Sequence, residues 1–282
     1  MSSLFNILKY VVIKVIKKIV VMLSINILFN YYKSKKIEKF INTEIDSNNS
    51  IRFWWRDDDV FDDTQELNKL LNFSTENNLP AYLSVIPKNL SDGAIAKIKE
   101  HRNISVMQHG YSHINYANIG EPLNEFGNHR SLDTQFNKIQ LGFDKLRISF
   151  GEQFIPVFVP PWHHISESVL EQLYTVGIKE ISLIGDGDKN YPNLINKNVD
   201  IDIFSWKTQS ETSYEVNIRD YGQILDDFYN KIILNNNNSI TIAIVTHSQI
   251  MNKQDWKIFG KLIMILKKTK IEFIGRNNFL DS

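Results

Sequence analysis

From Ile51 onward the chain alternates short β-branched and aromatic runs with longer stretches whose apolar positions recur about once per helical turn. The short runs are "IRFWW" (51–55), "AYLSVI" (81–86), "ISVMQ" (104–108), "FIPVFV" (154–159), "EISLI" (180–184), "DIDIFSW" (200–206) and "ITIAIVT" (240–246), with a final "IEFIG" near the end. β-rich runs of this length, bounded by polar loops, read as strands. Helix-like stretches separate them. In "TQFNKIQLGFDKLRISF", Phe136, Ile139, Phe143 and Leu146 lie roughly a turn apart; "SESVLEQLYTV" opens on a serine cap, and "NKQDWKIFGKLIMILKK" precedes the last short run. Such alternation predicts parallel βα units. Seven or eight of them fit a closed or nearly closed α/β barrel, and a doubly wound open sheet has the same local signature.

The first forty residues follow a different pattern. Eight lysines (Lys9, Lys14, Lys17, Lys18, Lys33, Lys35, Lys36, Lys39) face one acid, Glu38, around the apolar stretch "YVVIKVIKKIVVMLSINILF". Lys14, Lys17 and Lys18 interrupt it, and the unbroken part, Ile19 to Phe29, is shorter than the roughly 20 residues a membrane span needs. A basic amphipathic helix lying at a membrane surface is the expectation. A signal peptide competes, although no small-residue cleavage site precedes "NYYKSKK". So does a helix packed on the catalytic domain with its lysines reaching for water. The expected division is 1–45 for this segment and 46–282 for one catalytic barrel. The expected location is the cytoplasm, peripheral to the inner face of the membrane, with a signal-anchored or exported form as the alternative.

Charge and composition narrow the chemistry. Thirty-two basic and thirty-two acidic side chains cancel, so no global field favours nucleic acid. With no cysteine, disulfides, thiolate metal sites and a cysteine nucleophile are excluded. Any metal must therefore be held by histidine and carboxylate. The run "NNNN" at 235–238 reads as a polar loop.

The remaining polar clusters fall at predicted strand ends, where parallel βα folds gather active sites. "RDDDV" (56–60) follows the first strand, "HGYSH" (109–113) the third and "PPWHH" (160–164) the fourth; Asp202 lies in the sixth and His247, in "VTHSQ", ends the seventh. Adjacent Asp57, Asp58 and Asp59 repel one another unless a cation or an arginine offsets them, although an exposed acidic turn explains them equally well. His109 and His113, at i and i+4, can face one way on a helical turn, but Gly110 interrupts it and the glutamate of a metalloprotease helix is missing. Two imidazoles and a carboxylate make a facial set for zinc or another divalent ion that activates water.

Taken in order, "RDDDV", "QHGYSHIN", "FVPPWHH" and "IVTHS" resemble the polysaccharide deacetylases of carbohydrate esterase family 4, and most of all the divergent branch found beside glycosyltransferases. The resemblance runs from about Ile51 to Phe273. It implies a distorted (β/α)7 TIM-like barrel and metal-dependent hydrolysis of an N- or O-linked acetyl group on a sugar or glycan. It assigns Asp58 as general base, Asp59, His109 and His113 as metal ligands, and His247 as general acid. Asp202 would orient His247, with Asp200 as the rival partner, and Asp57 would be spare. Pro160, Pro161 and Trp162 would wall the acetyl pocket, the Trp162 N–H helping to hold the oxyanion. Zn2+ is the expected metal, with Co2+, Ni2+ or Mn2+ as alternatives.

Arg56 and Arg130 are candidates to hold the base ionised or to clamp substrate, an ion pair with Glu125 being the plain reading of Arg130. Trp162, Tyr111, Trp54 and Trp55 are candidates for sugar stacking, although large aromatics at strand ends usually belong to the core. His163 is assigned a rim or substrate contact, whereas His101 and His129 read as a helix end and a loop. The chain departs from the family where Trp55-Arg56 and Val60-Phe61 flank the acids in place of Thr-Phe and Gly-Pro, and where "FVPPW" replaces Arg-x-Pro. A smaller or lipid-linked glycan is thus expected rather than an insoluble polymer. Two other readings stay open: a glycan-binding or membrane-associated barrel that has lost catalysis, and a metal-dependent hydrolase of another C–N bond.

Overall fold

The computed structural model describes residues 15, 28–42, 50–185, 193–210, 213–234 and 239–280. Its strands are β1 (Ile51–Val60), β2 (Ala81–Val85), β3 (Ile104–His109), β4 (Phe154–Val159), β5 (Glu180–Ile181), β6 (Ile195–Asn196), β7 (Ile201–Asp202), β8 (Phe204–Ser210), β9 (Ser213–Ile218), β10 (Ile240–Thr246) and β11 (Glu272–Phe273). The helices are α1 (residues 28–42), α2 (Gln65–Glu76), α3 (Asp92–Glu100), α4 (Leu132–Phe150), α5 (Glu167–Leu170), α6 (Leu173–Val176), α7 (Tyr221–Leu234), α8 (Lys253–Leu266) and α9 (Arg276–Leu280). Side-chain caps fix several helix starts: Thr64, Ser91 and Ser131 accept from the amide three residues on, and Asn252 forms a capping box with Asp255.

The main sheet runs β6-β5-β4-β3-β2-β1-β10-β7, all parallel, with β11 added beside β1. Its two ends, β6 and β7, are neighbours in the chain. Val199 N–H still donates to Leu183 O on the β5 side, whereas Asp200 N–H donates to Ala243 O on β10. One segment therefore hands over from one edge to the other and curls the sheet into the expected TIM-like barrel of seven strand positions. The doubly wound alternative fails because one sheet face packs against itself: Trp54, Tyr82, Met107, Val157, Val199, Ala243 and Val245 share an interior cluster. The other face meets the helices, with Phe53 and Trp55 packed among Leu67, Leu70, Phe259 and Leu262.

Two predicted elements come out differently. The run 200–206 divides between β7 and β8, and β8 turns back as an antiparallel hairpin with β9 outside the barrel. The stretch 166–176 breaks into the short α5 and α6.

Most of the expected interfacial helix, and the loop 235–238, lie outside the described residues, as does the boundary expected at 45/46. Helix α1 packs on the barrel: Ile37 and Ile41 are buried in the core, Lys33 pairs with Asp226 and Lys36 lies over the Tyr229 ring. Among the described residues no helix is long and apolar enough to cross a membrane.

Candidate active site

Period-two alternation carries the chemistry to one end of the barrel. Along β1 the interior positions are Trp54, Arg56 and Asp58; along β3, Met107 and His109; along β10, Ala243, Val245 and then His247 just past its end. Each strand thus spends its lower inward residues on packing and its upper ones on polar groups.

The three aspartates separate at this point. Asp57 faces outward and is fully buried, accepting from Ser248 N–H (2.9 Å), Ser248 Oγ (2.7 Å) and the Thr246 hydroxyl. Burial pushes its carboxyl up to about 8 against the pull of these donors. It is a strut between β1 and the end of β10, and Trp55 Nε1 completes it by donating to Thr246 Oγ1 at 2.7 Å. Asp58 faces inward, paired with Arg56: Nη2 donates to Oδ2 at 2.9 Å, and 2.8 Å separates Nε from Oδ1. Burial alone would raise the Asp58 carboxyl, but the guanidinium and surrounding imidazoles hold it below its ordinary value. Asp59 would face outward by parity, but a bulge intervenes: Asp57 pairs with Leu83 and Val60 with Val85, one residue too many on β1, and Asp59 takes φ 69°. The bulge turns a second carboxylate onto the site.

Asp59 Oδ1 lies 3.2 Å from His109 Nε2 and 3.3 Å from His113 Nε2. His109 Nδ1 donates to Val159 O at 2.9 Å, which fixes the ring with Nε2 facing the carboxylate. Asp59 Oδ1 is buried with no hydrogen-bond donor assigned to it. The three ligand atoms lie within 4.8 Å of one another. This is a donor set that fits a divalent metal: two imidazoles, one carboxylate, and an orphan oxygen between them. Burial works against ionisation of Asp59, but the two imidazoles overcome it and hold the carboxyl far below its usual range.

His109 and His113 do not share a helical turn. His109 ends β3, and residues 110–113 form a loop, with Gly110 and His113 both at φ 53°. Glu125, missed as a functional residue in the sequence, organises it. Its buried carboxylate accepts from the amides of Tyr111 (3.1 Å), Ser112 (2.7 Å) and His113 (3.0 Å), and from Ser112 Oγ. Nothing in "NEFGNHR" distinguishes such a group from a surface acid. Gly110 is required twice over, by its φ and because a Cβ there would sit 2.4 Å from Glu125 Oε2 and 2.6 Å from Pro161 Cγ. Gly110→Ala is expected to destabilise the fold by about 2–4 kcal/mol in denaturant titration. Unchanged stability would show the loop to be pliable.

The other sequence candidates sort as follows. Arg56 has no exposed surface and donates its remaining Nη1 to Ser182, so its guanidinium is spent on contacts within the protein. Arg130 stacks on Tyr116 and donates to the Glu125 main-chain oxygen; it braces the loop and makes no ion pair with the Glu125 carboxylate among the described contacts. Tyr111 turns to the outer cluster on α4, under Lys138. Pro161 is buried against Gly110, while the Trp162 ring lies 4.3 Å from His113, centroid to centroid. His163 is felt electrostatically by Asp58, His109 and His247. Asp202 is buried near His247, but its oxygens accept from Phe204 N–H (2.8 Å) and Trp206 Nε1 (2.7 Å), and the Trp206 ring lies 4.8 Å from His247. Burial raises the Asp202 carboxyl, partly offset by the His247 charge. Asp200 is engaged elsewhere, with Ala243 N–H and Lys231.

No family model matches the sequence, and no curated protein matches it. Solved structures do. A putative polysaccharide deacetylase from Mycobacterium smegmatis superposes with TM-score 0.58 at 11% identity, over 83% of this chain and 90% of that one. The Xyl-CE4 domain of a multidomain xylanase from the hindgut metagenome of Trinervitermes trinervoides gives 0.52 at 13%, over 83% and 91%. The peptidoglycan deacetylase PdaC from Bacillus subtilis gives 0.50 at 11%, over 84% and 93%. The chain shares the fold of these enzymes.

Proposed function

We propose that this chain, folded like the polysaccharide deacetylases, is a metal-dependent hydrolase that removes an N- or O-linked acetyl group from a sugar of a glycan or glycan precursor. The observation that carries the reading is the placing of Asp59, His109 and His113 beside an Asp58 held ionised by Arg56, with His247 at the neighbouring strand end. A divalent ion bound by the triad, Zn2+ being the best match to two imidazoles and a carboxylate, would polarise the acetyl carbonyl and acidify a water.

The protein's own residues supply the rest. Asp58, ionised and buried, takes the proton from the attacking water. Arg56 keeps it in that state and in one orientation through two contacts. His247 delivers a proton to the departing amine or alkoxide, which leaves poorly without one. Trp162 closes one side of the site over His113, and its backbone N–H is the donor proposed for the oxyanion. The test is acetate release from acetylated xylo-oligosaccharides, N-acetylglucosamine oligomers and peptidoglycan fragments. Zinc-loaded protein should release it and chelator-treated protein should not; no release from the whole panel by zinc-loaded protein would refute the reading.

The N-terminal segment, in this reading, holds the enzyme at an anionic membrane surface. Its lysines and the exposed Leu28, Phe29, Tyr31 and Tyr32 at the start of α1 support this. Lys14→Glu, Lys17→Glu and Lys18→Glu together should abolish co-sedimentation with vesicles containing one-third phosphatidylserine. Equal sedimentation of wild type and triple variant would exclude an electrostatic anchor.

A further inference from the structure

The turn after β4 holds two consecutive non-glycine residues in the left-handed region, Trp162 at φ 53° and His163 at φ 59°. L side chains avoid it because Cβ crowds the following carbonyl, so a pair persists only where the surroundings impose it. The Trp162 half is accounted for by its packing on His113. The His163 half delivers an imidazole toward the reacting groups: the charges of Arg56, Asp58, His109 and His247 all act on it. Burial, then the Arg56 charge, push this imidazole down to about 3, so it is neutral and carries one N–H and one lone pair.

That imidazole is unspent. Its Nδ1 is buried and has no hydrogen-bond partner among the described residues. Histidines with structural jobs here use their nitrogens: His101 bonds Thr75, and His129 bonds Glu121 and Asn118. A buried polar atom left orphaned costs stability, as does left-handed backbone at a non-glycine position. Two costs on one residue, beside the candidate triad, mark it as held for a ligand.

We propose that His163 binds the sugar itself, its unpartnered Nδ1 making a hydrogen bond with a hydroxyl next to the scissile acetyl group. The inference rests on the deacetylase reading and adds the group that distinguishes a sugar from any other acetyl ester. A sugar hydroxyl can donate to that nitrogen or accept from it, so it matches a neutral imidazole in either tautomer. A site that spends a buried polar group on a substrate hydroxyl discriminates strongly against analogues lacking it.

The experiment compares zinc-loaded full-length wild type with His163→Ala, His163→Asn and His163→Gly on two kinds of substrate. Acetylated xylo-oligosaccharides and N-acetylglucosamine oligomers carry neighbouring hydroxyls; 4-nitrophenyl acetate carries none. His163→Ala should lose about tenfold or more in kcat/KM on the sugars and change less than about twofold on 4-nitrophenyl acetate. His163→Asn, which keeps a donor and an acceptor, should recover part of the loss. Zinc stoichiometry should be unchanged. His163→Gly should raise Tm by about 2 °C or more, since glycine relieves the left-handed strain and removes the orphaned nitrogen. Equal losses on both substrates, or a lower Tm for His163→Gly, would overturn the inference and make His163 a packing residue. Sugar inactivity of the wild type would instead remove the deacetylase reading, and this inference with it.

Discussion

Asp58→Asn is expected to lower kcat/KM for acetate release by about 10²- to 10⁴-fold while the protein keeps its metal. The substitution changes no volume and removes only the proton acceptor. The metal is expected to stay because Asp58 is not part of the cluster formed by Asp59, His109 and His113. A second effect follows from Arg56, which has no exposed surface and pairs with Asp58 through both Nε and Nη2. With a neutral partner its buried charge is uncompensated, a situation that typically costs about 3–5 kcal/mol. The variant should therefore be less stable in denaturant titration as well as slow. The pH dependence has a definite sign. The folded-state pKa of Asp58 lies below its unfolded value, so its contribution is present above the unfolded pKa and lost as pH falls through the folded one. Wild type should lose this increment in acid, and Asp58→Asn should show no such loss. Full activity in Asp58→Asn would place the base elsewhere.

The fold was largely legible because β1 to β4 and β10 are buried on both faces and so read as unbroken apolar runs; "FIPVFV" matches β4 residue for residue. The strands that escaped were those with little to bury. β6 has two exposed residues, and the β8–β9 ribbon gains its hydrogen bonds outside the barrel, so neither β6 nor β9 was among the expected strands. In the site, the histidines and acids were legible by type and order, whereas their separate duties came from the family resemblance and not from the residues alone. Asp57, Asp58 and Asp59 are chemically identical neighbours; pleat parity sends the first outward and the second inward, and the bulge at Asp59 breaks parity for the third. The loop that aims His113 depends on Glu125, twelve residues away, and no periodicity links the two. Asp202 lies near His247, but no spacing in the sequence signals that its carboxylate also accepts from the Trp206 indole.

Asp59→Asn is expected to abolish stoichiometric zinc binding and to reduce acetate release to the level of chelator-treated wild type. Asparagine tolerates the left-handed φ of 69° at this position, so the bulge should survive and the loss can be assigned to the charge. The affinity loss should exceed the roughly 10- to 100-fold that follows removal of a mere supporting partner of a ligand. The same pair of states fixes a pH signature. In the metal-free protein His109 is raised: burial of its ring opposes protonation, but the Asp59 carboxylate outweighs it. A raised pKa stabilises below the unfolded value near 6.5, and that increment is lost as pH rises through the folded value. Metal requires the neutral ring, so its contribution runs the other way and grows with pH. The Tm difference between zinc-loaded and metal-free wild type should therefore widen as pH rises from about 5.5 to about 8. In Asp59→Asn the zinc-dependent trend should vanish and the opposing one should weaken, because the carboxylate that completes the donor set also raises His109, together with Asp58. A Tm gap that stays constant with pH in wild type would mean that zinc does not displace a proton from His109, and the triad would then not be its site.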